Sequence, residues 1–173
     1  MERTTHRLMQ SQDRLRIALL AAYAIGLHAI ERLIPSPVPW LRFGLANIIT
    51  LTAIILYGFR TGLMITLIRV FLGSLFLGTF LGPGFVMSLG GGTVSTIAMA
   101  GTYRIFRKAF SPFGLSLVGA FFHNLTQLSL AYLLFVRRYE VILYISPVIL
   151  FIGIITGGLN GLICSIIVKK IRS

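Results

Sequence analysis

Acidic residues are scarce in this chain. It has four Asp and Glu among 173 residues, and charged residues make up 12% of the sequence. Soluble domains carry about 25% charged residues. Two of the four acids, Glu2 and Asp13, lie in a polar N-terminal stretch, so the remainder cannot supply a multi-carboxylate magnesium site. We therefore predict that the chain is not an enzyme.

Cysteine and polar linkers are also nearly missing. Cys164 is the single cysteine, which excludes a disulfide within the chain and a Cys/His metal site. We predict neither a metal nor a cofactor. Because no polar linker interrupts the chain, we predict a cytoplasmic N-terminal tail over residues 1–14 and one transmembrane domain over residues 15–173.

Apolar residues make up 56% of the chain, and the mean hydropathy is +0.90. Lipid can solvate that much apolar surface, whereas a water-soluble fold of this size could not bury it. The sequence predicts an all-α integral membrane protein, a compact bundle of six transmembrane helices. The six predicted spans are residues 15–34, 43–59, 63–81, 85–103, 113–136 and 141–168. Because the second is short, a five-span arrangement with a re-entrant second segment is the alternative.

The net charge of +12 comes from basic residues at the ends of the predicted spans. This position is typical of membrane topology signals rather than of a nucleic-acid-binding surface. With the N-terminus inside, cytoplasmic segments hold eleven basic residues and outer segments hold four, while Arg69 lies within a span. We predict that both termini are cytoplasmic and that the chain does not bind nucleic acid.

Small residues four apart mark helix faces that approach another helix closely in lipid. Gly153, Gly157 and Gly161 form such a stripe in the last span, and we interpret it as packing within the bundle. Ala18 and Ala22 form a stripe in the first span. We predict that this second stripe docks a partner subunit.

Polar side chains within the membrane are costly and usually face a cavity or a partner. With the predicted orientation, four segments bring polar groups to one depth near the outer face, below the Pro-rich loop at residues 35–40. This convergence predicts a ligand cavity with a lid, and an internal hydrogen-bond network that only fixes the bundle is the alternative. Taken singly, His28, Asn124 and Asn160 favour a structural role. The predicted ligand-binding residues are Glu31, Arg42, Asn47, Arg69, Ser88, His123, Asn124 and Gln127.

Several motifs resemble those of the Gx transporter family, whose members are often labelled heptaprenyl diphosphate synthase component I. The motifs are Glu31-x-x-x-Pro35, Arg42-Phe43-Gly44-Leu45-Ala46-Asn47, Arg69, Ser88-Leu89-Gly90-Gly91, Ser95, Met99 and Gly119-Ala120-x-x-His123-Asn124-x-x-Gln127. That family is similar in fold to the substrate-binding S components of energy-coupling factor (ECF) transporters. The resemblance implies a six-helix bundle with a pocket near the outer face. It also implies a stripe of small residues on the first helix that docks a membrane coupling subunit joined to two ATPases.

These observations favour a substrate-binding membrane subunit of a vitamin-class or precursor-class importer in the bacterial cell membrane. The alternative is a membrane subunit linked to quinone or isoprenoid metabolism or to flavin-based electron transfer, with partners that carry the chemistry. A structural membrane anchor is the third hypothesis. The synthase label conflicts with the residues, because familiar prenyl synthases use Asp-rich magnesium motifs that this chain lacks.

Overall fold

The computed structural model describes residues 2–34, 44–106 and 109–172, with the side chains of residues 2–11 and 32 left aside. Within these ranges the regular structure is entirely helical. The helices are α1 (Glu2–Leu33), α2 (Asn47–Tyr57), α3 (Phe59–Phe76), α4 (Pro83–Phe106), α5 (Pro112–Ala131) and α6 (Tyr139–Arg172), and a π-helical turn (Tyr132–Val136) extends α5.

The structure contains six α-helices in its described ranges, as the hydropathy pattern predicts. Four of them are long and apolar enough to cross a membrane: α3, α4, α5 with its π-helical turn, and α6. The chain is therefore a multi-pass membrane protein. The hydrocarbon core of a bilayer is about 30 Å thick. Because a helix rises about 1.5 Å per residue, a helix needs about 20 residues to cross it.

The first two helices differ most from the predicted spans. With 11 residues, α2 rises only about 16 Å, so it is too short to cross the hydrocarbon core, in keeping with the re-entrant alternative. Helix α1 begins at Glu2, and the predicted polar tail is thus a continuous helical extension of the first span. The third helix ends at Phe76, five residues earlier than predicted, because Gly78 and Leu81 adopt positive φ angles of 64° and 59° in the turn that follows.

The short helix α2 lies at the centre of the bundle. Eight of its 11 residues are buried, and it contacts all five other helices. Around it the helices contact one another in the order α1, α3, α4, α5, α6, and no contact joins α1 to α6 among the described residues. Placing α2 inside this open ring explains why its apolar residues face protein on every side.

Successive helices run in opposite directions. Thr50 of α2 faces Thr66 of α3, and Thr66 faces Thr96 of α4, so the loops between these helices lie at alternating ends. One end therefore holds the C-terminus of α1 and the N-termini of α2, α4 and α6. We call it the outer end, after the predicted topology, and the opposite end the inner end.

The glycine stripe of α6 packs within the bundle, as predicted. A Cβ atom added at Gly157 would lie 2.7 Å from the Cβ of Ala120, and one added at Gly161 would lie 2.6 Å from the Cα of Phe113. Large apolar side chains instead point outwards, including Phe71, Phe121, Phe151, Leu159 and Ile166. The contact of α6 with α5 thus depends on small residues, and the outer surface is suited to lipid.

Candidate functional site

Gly44 joins three parts of the bundle through its backbone. Its N–H donates to a carboxylate oxygen of Glu31, near the end of α1. Its carbonyl accepts from the N–H of Asn47 at 2.9 Å and from Nδ2 of Asn160, in α6, at 3.1 Å. The φ angle of +76° at this residue is the left-handed conformation that glycine adopts without steric cost.

A buried charged side chain lies beside this turn. Arg69 of α3 is 3% exposed, and its Nη2 donates to Oδ1 of Asn47 at 2.7 Å. Glu31, also 3% exposed, attracts the guanidinium electrostatically. The amide of Asn47 then donates to the Ser95 hydroxyl of α4 at 3.4 Å. The opposite charges of Glu31 and Arg69 offset one another, which a low-dielectric interior requires.

Helix α5 adds a polar pair to the same region. The ring nitrogen Nε2 of His123 lies 2.7 Å from Nε2 of Gln127, one turn further along the helix, and both side chains are buried. A Cβ atom added at Gly91 of α4 would lie 2.9 Å from Nδ1 of His123, and one added at Gly44 would lie 3.7 Å from its Cδ2. The pair therefore borders both α4 and the Gly44 turn.

Three buried atoms around this cluster have no hydrogen-bond partner within the part of the chain that the structure describes. They are Nε of Arg69, Oγ of Ser88 and Oδ1 of Asn160. Each comes from a different helix, and each residue is at most 4% exposed. Ser88 lies one helical turn before Gly92, where an added Cβ atom would lie 3.3 Å from Nη2 of Arg69. Most buried polar atoms in proteins are hydrogen-bonded, so these three atoms indicate where an additional polar group would bind.

A chain of threonines continues from the cluster towards the inner end. The hydroxyls of Thr50, Thr66 and Thr96 lie 3.0 Å apart in succession, and Thr96 donates to the carbonyl of Gly92 at 2.7 Å. This chain joins α2, α3 and α4. Sequence reasoning missed it, although three threonines within apolar helices were a signal for such bonds.

The structure brings most of the predicted site residues together. The residues that we name the outer polar cluster are Glu31, Gly44, Asn47, Arg69, Ser88, Ser95, His123, Gln127 and Asn160. Gly44, Ser95 and Asn160 are additions to the predicted ligand-binding set, and the bond from Asn160 to Gly44 joins α6 to the cluster.

Two predicted features stand apart from the outer polar cluster. Asn124 points to α6 instead, where its Nδ2 donates to the carbonyl of Ile149 at 3.2 Å, in agreement with the structural role that it favours when taken singly. Arg42 and the loop at residues 35–40 lie outside the described residues, so the predicted lid stays a prediction.

The predicted docking stripe lies on an exposed face of α1. Ala18 and Ala22 are both exposed, and Gly26 continues the stripe, with no described atom within 4 Å of a Cβ added there. Leu20 and Ala24 lie on the opposite face and are buried. The described part of the chain therefore leaves this stripe uncovered.

Three cavities among the described residues lie away from the outer polar cluster. One of about 730 Å³ opens at the inner end, and two smaller ones of about 450 and 220 Å³ lie beside α5 and α4. None of the three is lined by the predicted ligand-binding residues.

The family model for heptaprenyl diphosphate synthase component I matches residues 20–167. The chain belongs to this family. The match extends from α1 to near the end of α6 and so includes every residue of the outer polar cluster. The chain matches no curated protein and no solved structure. This match confirms the family resemblance that the sequence motifs indicated. The description of the heptaprenyl diphosphate synthase component I family names one component of a larger assembly.

Proposed function

We propose that the chain is the substrate-binding membrane subunit of an importer for a vitamin-class or precursor-class small molecule. It binds the molecule at the outer polar cluster, catalyses no reaction itself, and relies on partner subunits for ATP hydrolysis. In this proposal it lies in the bacterial plasma membrane, with an architecture like that of the S components of ECF transporters, both termini in the cytoplasm and the cluster towards the outside.

The observation that carries this proposal is the set of buried polar atoms without hydrogen-bond partners among the described residues. Nε of Arg69, Oγ of Ser88 and Oδ1 of Asn160 offer donors and an acceptor from three helices. A hydrogen-bond network that served only to stabilise the bundle would leave fewer buried polar atoms without partners, because each unsatisfied polar group costs about 1–3 kcal/mol. A bound polar molecule would satisfy them.

The charge balance of the cluster also suits a small polar ligand. Glu31 and Arg69 offset each other, and the remaining groups are amides, hydroxyls and an imidazole. Such a set orients a ligand by hydrogen bonds rather than by neutralising a charge.

A second candidate function rests on the family description. A membrane subunit linked to isoprenoid or quinone metabolism, or to flavin-based electron transfer, would leave the chemistry to its partners. The family's name as a component of a prenyl diphosphate synthase supports a link to isoprenoid synthesis. The lack of Asp-rich magnesium motifs in this sequence argues against synthase chemistry in the chain itself.

Ser88 gives the sharpest test of the ligand site. Its hydroxyl has no hydrogen-bond partner among the described residues, so Ser88→Ala should leave the apo protein as stable as before. We expect this variant to retain about tenfold less of the small molecule that co-purifies with the protein, corresponding to about 1.4 kcal/mol. The measurement is mass spectrometry of the extracted small molecules per mole of protein, with thermal unfolding of the apo protein in detergent.

Ser116→Ala is the matched control, because Ser116 is also buried but lies 11 residues before Gln127 on α5, about 16 Å along the helix. It should leave retention unchanged. A water-soluble vitamin or precursor in the extract supports the importer, and a quinone or prenyl lipid supports the second candidate. Unchanged retention in Ser88→Ala would contradict a ligand site at the cluster.

A further inference from the structure

The cavity at the inner end is separate from the outer polar cluster. It has a volume of about 730 Å³ and lies among the C-terminal turns of α2, α4 and α6 and the N-termini of α3 and α5. Sites for small molecules commonly have volumes of about 300–1,000 Å³. The ends of five helices, from three stretches of the chain that are distant in sequence, therefore surround a space large enough for a ligand, at the end of the bundle opposite to Glu31 and Asn47.

The walls of this cavity are apolar. Ile54, Ala100, Leu115 and Val168 line it, and all four are buried. Tyr103 lines it as well and is partly buried. Such walls suit a hydrocarbon chain, and they offer few hydrogen bonds to a wholly polar molecule.

Two guanidinium groups lie among the lining residues. Arg104 and Arg172 are both exposed, and Nη2 of Arg172 lies 3.5 Å from the carbonyl of Ile55. Arg104 forms no hydrogen bond or ion pair within the described ranges of the chain. A pair of guanidiniums matches the oxygens of a phosphate in both charge and geometry.

No acidic side chain that the structure describes lines the inner cavity to neutralise its two guanidinium groups. Glu31 lies in the outer polar cluster, and Glu140 lies in the first turn of α6 at the outer end. Among the acids whose side chains the structure describes, only Asp13 lies towards the inner end, and it does not line the cavity. The local charge is therefore positive and favours an anionic group.

We propose that the inner cavity binds a lipid with a phosphate headgroup, with its hydrocarbon chain against Leu115 and Val168 and its phosphate between Arg104 and Arg172. Basic pockets between transmembrane helices on the cytoplasmic side are known to bind such headgroups. A membrane phospholipid and an isoprenyl diphosphate share this chemistry. The site is independent of ligand binding at the outer polar cluster.

Native mass spectrometry of the full chain in a neutral detergent tests the proposal. The probes are phosphatidylglycerol and farnesyl diphosphate, with diacylglycerol as the phosphate-free control. We expect at least one phosphate-bearing probe to bind about tenfold more than diacylglycerol, and the double variant Arg104→Gln/Arg172→Gln to lose that preference. Arg60→Gln is the matched control, because Arg60 is exposed at the same end but does not line the cavity.

The outcomes separate the two lipid sources. Preference for phosphatidylglycerol assigns the site to a membrane phospholipid, and preference for farnesyl diphosphate assigns it to an isoprenyl diphosphate. Unchanged binding in the double variant, or an equal loss in Arg60→Gln, would overturn the proposal. So would displacement of the bound lipid by an equal concentration of inorganic diphosphate, because a site that needs the hydrocarbon chain should reject a tailless anion.

Discussion

Glu31 and Arg69 show how one buried residue depends on another. Glu31 accepts from the N–H of Gly44 and attracts the guanidinium of Arg69. Removing the Glu31 carboxylate would take away both this attraction and the bond from Gly44, and a buried charge that loses a favourable partner destabilises the fold. Substitutions of these two residues therefore change both folding and binding, and Ser88 is the better probe of ligand binding alone.

A substitution of Gly44 tests how much its turn contributes to stability. Gly44→Ala places a Cβ atom 3.0 Å from Nδ2 of Asn47 at a φ of +76°. We expect the free energy of unfolding to fall by about 1–3 kcal/mol, measured by reversible unfolding in mixed micelles. Gly101→Ala is the control, since a Cβ there meets no described atom within 4 Å. Equal stability of the two variants would contradict the role of the Gly44 turn.

Helix α1 presents different residues on its two sides. Leu20, Ala24 and His28 face α2 and α3 and are buried, whereas Ala18 and Ala22 are exposed. The small exposed residues permit close approach of another helix. One face of α1 therefore packs in the bundle, and its opposite face can contact a partner or lipid.

The exposed stripe of α1, Ala18 and Ala22, is predicted to dock a membrane partner. Ala18→Trp should abolish co-purification with a membrane partner, because the indole ring prevents close helix contact, and it should leave retention of the small molecule unchanged. Pull-down of the tagged chain from membranes measures the first effect. Tyr23→Trp is the control, since Tyr23 is 65% exposed but lies about 140° around the helix from Ala18. A complex that survives Ala18→Trp would assign the stripe to lipid contact.

The whole molecule has two chemically different ends. The outer polar cluster holds the charge pair and the hydrogen-bonded amides, whereas the inner cavity combines apolar walls with Arg104 and Arg172. The importer proposal requires the cluster to face the outside of the cell. The lipid proposal requires the basic end to lie at the cytoplasmic surface, which the distribution of basic residues favours.

Orientation is testable with single cysteines in intact cells. Ser36→Cys should react with a membrane-impermeant thiol reagent, and Ser111→Cys should not, because the eleven-to-four distribution of basic residues favours cytoplasmic termini. The unsubstituted protein is the control, since its single thiol, Cys164, is buried. The reverse labelling would place the outer polar cluster on the cytoplasmic side and contradict the importer.

The sequence by itself determined that the chain is a helical membrane protein, and it grouped most residues of the outer polar cluster in one predicted site. Long apolar runs must be solvated by lipid, and polar side chains inside them must find partners. Helical periodicity also predicted the glycine face of α6 that packs against α5. These properties are local, so a single stretch of residues is enough to establish them.

The tertiary structure decided which helix each face meets. His123 and Asn124 are neighbours in sequence, yet a rotation of about 100° per residue directs the first to the cluster and the second to α6. The bond from Asn160 to Gly44 spans 116 residues, and the inner cavity is lined by three stretches of the chain that are distant in sequence. Periodicity fixes the residues on a face, but only packing fixes what that face contacts.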